Sequence, residues 1–164
     1  MATNDPKFII ALGASAGGID ELISFFDQTP TDSVSYIVVQ HLSADFKSRM
    51  VEILHSHSKL ELNTAEDGME VESNQVYLIP SDKLMTIKDG KLYLKDKSKS
   101  LNLTIDIFFN SLALDCGGKA IGIILSGLGN DGSEGIIAIK KAGGMVIVRD
   151  PATTEFASMP SPQG

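Results

Sequence analysis

A single cysteine, Cys116, is all that the 164 residues carry, so no internal disulfide can form, and no metal-ligand spacing surrounds it. Its simplest use is as a small buried hydrophobe. Basic residues are also short: 14 Lys and Arg stand against 21 Asp and Glu, a net charge of −7. That balance disfavours a phosphate backbone as ligand and removes nucleic acid from the expected partners. No apolar run approaches bilayer-spanning length. Residues 1–6 have neither the charged-then-apolar pattern of a signal peptide nor a glycine at position 2 for acylation. The expectation is a cytoplasmic chain with no direct membrane insertion. Internal repeats and low-complexity tracts are absent as well.

What is present is ordinary globular composition, 43% hydrophobic and 21% charged, in a length that makes about one domain with a proper core. An apolar run from Lys7 to Leu12 breaks at Gly13, and a helical pattern with Ile19, Leu22, Ile23 and Phe26 on one face begins at Ile19. Val34 to Gln40 is a second strand of buried type, and Ala44 to Lys59 is helical through Phe46, Met50, Ile53 and Leu54. This βαβα opening predicts an α/β fold around a parallel sheet.

The middle has a different character. Leu60-Glu61-Leu62 alternates, and Gln75 to Ile79 is a strand ended by Pro80. Leu84 to Leu94 reads as a hairpin turning at Asp89-Gly90, a dipeptide suited to a type I′ turn, and extends the sheet in antiparallel or mixed fashion. The polar stretch Lys95 to Ser100 reads as a solvated loop. A helix from about Thr104 to Asp115 places Ile105, Phe108, Phe109 and Leu112 on its apolar stripe and stops at Gly117. Ala120 to Leu125 is another strand, Ser133 to Ala142 a helix closed by Gly143-Gly144, and Met145 to Val148 a strand. Pro151 to Gly164 carries little regular pattern and looks like a loop whose continuation is missing.

Gly13-Ala14-Ser15-Ala16-Gly17 matches G-x-S-x-G directly between strand and helix, the context in which small neighbours expose a serine hydroxyl on a tight turn. Ser15, His41 and Asp131 each lie at or beyond the C-terminal end of an apolar strand, the edge where open α/β sheets place their sites. A hydroxyl needs a base, and a neutral imidazole needs a carboxylate that fixes its tautomer. Each residue also has a bland use: Ser15 as a helix cap or part of a phosphate cradle, His41 as a strand-end histidine, Asp131 as a turn or N-cap residue before Ser133. His55 and His57, near the end of an amphipathic helix, read as surface residues.

Together these residues resemble one family, the catalytic domain of the chemotaxis methylesterase CheB. The carriers are Gly13 to Gly18, Val39-Gln40-His41-Leu42, Glu66-Asp67-Gly68, Val76 to Pro80, Ile105 to Phe109, and Ile124 to Gly132, in the family's order across nearly the whole chain. The resemblance implies a doubly wound, mostly parallel sheet flanked by helices, forming one catalytic domain over 1–164 that lacks its C-terminal end. It implies hydrolysis of glutamyl methyl esters on methyl-accepting chemoreceptors, in many members with deamidation of glutamines, and no metal or cofactor. By motif match Ser15 is the nucleophile, His41 the general acid/base and Asp131 its orienting carboxylate, with backbone N–H groups near Ala16 and Leu128 as oxyanion donors. Leu101-Asn102-Leu103-Thr104 replaces a basic, proline-containing stretch common in stand-alone enzymes. With the serine turn kept as Ala14-Ser15-Ala16, this looks more like the modules fused to methyltransferase and sensory kinase domains in large proteins. Two other functions stay open: a catalytically silent docking module, and a phosphate or nucleotide binder using the loops from Gly13 to Gly18 and from Gly127 to Gly132, which contain no lysine or arginine.

Overall fold

Parallel strands covered on both faces need apolar side chains in both directions of the pleat, and the runs starting at Phe8, Val34 and Ala120 provide them. A computed structural model describes residues 6–13, 19–29, 33–40, 42–97, 103–125 and 131–148. In chain order it contains β1 (Phe8–Gly13), α1 (Ile19–Asp27), β2 (Val34–Val38), α2 (Ala44–His57), β3 (Glu61–Thr64), β4 (Met69–Glu70) and β5 (Gln75–Leu78). The hairpin β6 (Lys83–Lys88) and β7 (Lys91–Asp96) follows, then α3 (Thr104–Cys116), β8 (Ala120–Ile124), α4 (Ser133–Lys141) and β9 (Met145–Val148).

Six strands form a sheet in the order β3-β5-β2-β1-β8-β9, parallel at every pairing. From β1 the chain winds outward through β2, then returns across β1 to β8 and β9, so the winding reverses between β1 and β8. Such a reversal opens a crevice outside the carboxyl ends of the strands.

The pleat divides the core in two. Leu12, Tyr36, Val38 and Leu78 pack with Leu22 and Phe26 of α1 and with Phe46, Met50 and Leu54 of α2. Ala11, Ile37, Val39 and Tyr77 face the other way, onto Phe108, Phe109 and Leu112 of α3 and Ile136 and Ile139 of α4. Each large side chain buried here stabilises the fold by roughly 1.5–3 kcal/mol. The helices on this second face approach closely enough to require glycines: a Cβ on Gly135 would lie 2.5 Å from that of Phe109, and one on Gly122 2.7 Å from Ile139 Cδ1.

The hairpin pairs with β4 to make its own three-stranded antiparallel sheet, ordered β4-β7-β6, while β3 and β5 join the parallel sheet. Asp89 and Gly90 have φ of 52° and 75°, as a type I′ turn demands. Met85, Ile87 and Leu92 turn inward against the α3 side of the core, and Ser111 Oγ of α3 accepts the Ile87 N–H at 3.0 Å. The polar stretch from Lys95 is strand as far as Asp96, which pairs with Lys83 across the hairpin at 2.5 Å. Gly117 stops α3 with a φ of 54°, as its position in the sequence suggests.

Candidate active site

The three strands whose ends carry the candidate residues are neighbours. β1 lies between β2 and β8, with Leu12 opposite Val38 and Gly13 opposite Ile124. The ladder continues one step past the strand ends, where the Val39 N–H donates to Leu12 O at 2.8 Å and the Leu125 N–H to Gly13 O at 2.9 Å. The chain therefore leaves all three strands at one level of the same edge, at the switch point. Ser15 follows β1, His41 follows β2, and Asp131 follows β8. Ser15 and His41, with Ala16 and Leu128, lie outside the described residues; Asp131 lies within them.

Asp131 is held at both carboxylate oxygens. Oδ2 accepts the Ile105 N–H at 2.9 Å and Oδ1 accepts the Asp106 N–H at 2.8 Å, so the carboxylate sits on the amino end of α3. That helix has no cap of its own, since Leu103 at its N-cap supplies no side-chain acceptor. Two amide bonds leave each oxygen a second lone pair for a further donor. Burial pushes the Asp131 carboxyl above its ordinary value; the two amide bonds oppose this, and the nearby Asp106 charge adds to it. Beside Asp131 a cleft of 130 Å³ is lined by Val39, Gln40, Pro80, Lys97 and Thr104, among others.

The amino end of α3 also comes close to the end of β1. A Cβ on Gly13 would stand 2.9 Å from Ile105 Cδ1, so a glycine at this first position of G-x-S-x-G lets the helix that carries Asp131's donors pack against the strand that precedes Ser15. The same crowding meets Gly132, whose φ of 110° favours glycine in any case.

Asp106 is a residue to which the sequence assigned no role. It is only 4% exposed, and its Oδ1 accepts the Gly132 N–H at 2.9 Å and the Gly135 N–H at 2.8 Å. The one signal in the sequence is an aspartate inside the otherwise apolar stretch Ile105 to Phe109. Two amides at the start of α3 and two at the start of α4 thus have carboxylate acceptors.

The other titratable candidates stand elsewhere. His55 and His57 are exposed at the end of α2, and His57 Nε2 lies 3.3 Å from Asp27 Oδ1. Cys116 is half-buried; burial foremost, with the Asp115 charge, pushes its thiol up to about 11, which leaves almost no thiolate at neutral pH. Among the described residues no group of three or more His, Cys, Asp or Glu side chains gathers as a metal site.

Fold and site define a doubly wound α/β domain in which three adjacent parallel strands end at one edge. The family model described as CheB methylesterase matches residues 10–162, and the chain belongs to that family. It is 34% identical over 164 residues to a protein-glutamate methylesterase/protein-glutamine glutaminase of Thiobacillus denitrificans, covering 96% of this chain and 46% of that protein. A relative of the same name from Sulfurimonas denitrificans is 32% identical over 158 residues, covering 93% and 45%. The chain thus spans about half the length of the curated relatives it matches. The crystal structure of the Thermotoga maritima CheB methylesterase catalytic domain superposes with a TM-score of 0.68 at 29% identity, over 90% of this chain and 87% of that one.

Proposed function

We propose that the chain is a serine esterase that hydrolyses glutamyl methyl esters on methyl-accepting chemoreceptors and releases methanol. The observation that carries this is the side-by-side order of β2, β1 and β8, with Asp131 fixed beyond the end of β8 on the amino end of α3. In this mechanism Ser15 Oγ attacks the ester carbonyl as His41 takes its proton, and the tetrahedral oxyanion accepts backbone N–H bonds near Ala16 and Leu128. His41 gives the proton to departing methanol, which leaves a glutamyl ester on Ser15. Water then attacks with His41 as base and frees glutamate. Asp131, ionised, holds the imidazole tautomer and stabilises the imidazolium. A glutamine side chain reacts by the same steps with ammonia as leaving group, which is the glutaminase activity in the relatives' names.

The replacement at Leu101 to Thr104 supports placing this domain in a cytoplasmic protein that also carries methyltransferase and sensory kinase domains. None of the described helices is long and apolar enough to cross a membrane.

The test is intact-mass detection of a covalent adduct with a small fluorophosphonate. One adduct is expected on the wild type, none on Ser15→Ala, and a labelling rate reduced by at least about 100-fold in His41→Ala. Equal labelling of wild type and Ser15→Ala would sink the assignment of the nucleophile.

A further inference from the structure

The helices α3 and α4 each begin without a cap of their own. Leu103 offers α3 no side-chain acceptor, and Gly132, at the N-cap of α4, has no side chain to offer. Orphan amides at a helix start need acceptors, and these normally come from the N-cap residue itself. Here each helix takes its acceptor from the other: Asp131, just before α4, caps α3, and Asp106, in the first turn of α3, caps α4. The exchange closes a ring in which Asp106 holds Gly132, the neighbour of Asp131, while Asp131 holds the amide of Asp106.

We propose that Asp106 is the positioning residue for Asp131: it fixes the turn that carries the catalytic carboxylate, and so the lone pairs offered to the imidazole. This rests on the assignment of Ser15, His41 and Asp131 made above. Asp106 acts through the backbone and touches no substrate. Both its bonds to α4 run to one oxygen, so an asparagine in the same rotamer can still accept them, whereas an alanine cannot. Charge and geometry are therefore separable at this site. Loss of geometry displaces Asp131, and a displacement of about 1 Å at a reacting constellation costs on the order of 100-fold in rate. Loss of the charge alone removes a like charge beside Asp131, which favours ionisation of Asp131.

The experiment compares wild type, Asp106→Ala and Asp106→Asn by amide hydrogen exchange, by kcat and KM for ester hydrolysis, and by the acid limb of the pH profile. In Asp106→Ala the Gly132 and Gly135 amides are expected to lose protection, with kcat down about 100-fold and KM within about threefold. Asp106→Asn is expected to restore protection and most of kcat, with its acid limb moved to lower pH. Lost protection with wild-type kcat in Asp106→Ala overturns the proposal, as does an Asp106→Asn variant as slow as Asp106→Ala. Should Asp106→Ala not fold, Asp106→Leu, which fills similar space without an acceptor for the Gly132 and Gly135 amides, takes its place in the same comparison. If the wild type hydrolyses no ester, the assigned function fails separately, and the ring is decided by exchange at the two glycines and by the carboxyl titration of Asp131 in wild type and Asp106→Asn.

Discussion

Asp131 holds opposing demands in one side chain. The proposed mechanism needs it ionised, while burial raises its pKa above the ordinary 3.8. A carboxyl with a raised folded-state pKa binds more protons folded than unfolded between the two values, so its contribution to stability is full below 3.8 and is lost as pH rises through the raised value. The pH dependence of unfolding free energy for wild type minus Asp131→Asn should therefore fall with rising pH across that window, measured by urea denaturation. Over the same window wild-type activity should rise, and at neutral pH Asp131→Asn should lose kcat by about 10³- to 10⁴-fold, as triads do when the orienting carboxylate is neutralised. Wild-type kcat in the variant would remove Asp131 from the mechanism. The sequence singled out Asp131 and gave a helix cap as its bland use. It does cap a helix, but α3 rather than the α4 that follows it, because the acceptor points back across the site. Local spacing carries no sign of that partner. Asp106 was hidden for the same reason: an aspartate in the first turn of a helix ordinarily faces water, and only tertiary packing buries this one.

Among the elements, α3 is the strut between the two sheets. Its first turn holds Asp131, and its last turn holds the hairpin, where Asp115 Oδ1 accepts the Asp89 N–H at 2.7 Å and Oδ2 the Gly90 N–H at 3.1 Å. The apolar stripe of this helix, its stop at Gly117 and the type I′ turn were all legible, since each depends on residues close in sequence. That the helix end and the turn would meet was not. Removing this clasp should cost stability without touching chemistry: Asp115→Ala is expected to lower unfolding free energy by about 1–2 kcal/mol, the scale of two partly exposed hydrogen bonds to a charged acceptor. The check is chemical denaturation together with kcat, which should stay at the wild-type value. A kcat loss as large as that of Asp106→Ala would mean that the hairpin, too, governs the position of Asp131.

For the molecule as a whole, the decisive fact is strand order. The βαβα opening announced a parallel sheet, and the strand ends announced three candidate residues, yet periodicity within a strand says nothing about its neighbours. β5 inserts between β2 and β3, and β8 returns to the far side of β1 after the whole hairpin and α3 have intervened. Those pairings join residues far apart in the chain and are set by which faces remain to be covered. The resemblance bridged that gap, because the succession of motifs brings the order with it. The Thermotoga domain shows that this sheet and its helices recur at 29% identity, which local patterns alone do not explain. A serine, a histidine and an aspartate spread through the chain become one site only if β2, β1 and β8 lie side by side.

The central claim is tested most directly by measuring methanol released from a chemoreceptor fragment carrying glutamyl methyl esters, with the wild-type chain and Ser15→Ala side by side. The account predicts methanol from the wild type in step with new glutamate carboxylates, and a rate at least about 10³-fold lower for Ser15→Ala. A wild-type rate no higher than that of Ser15→Ala would contradict it.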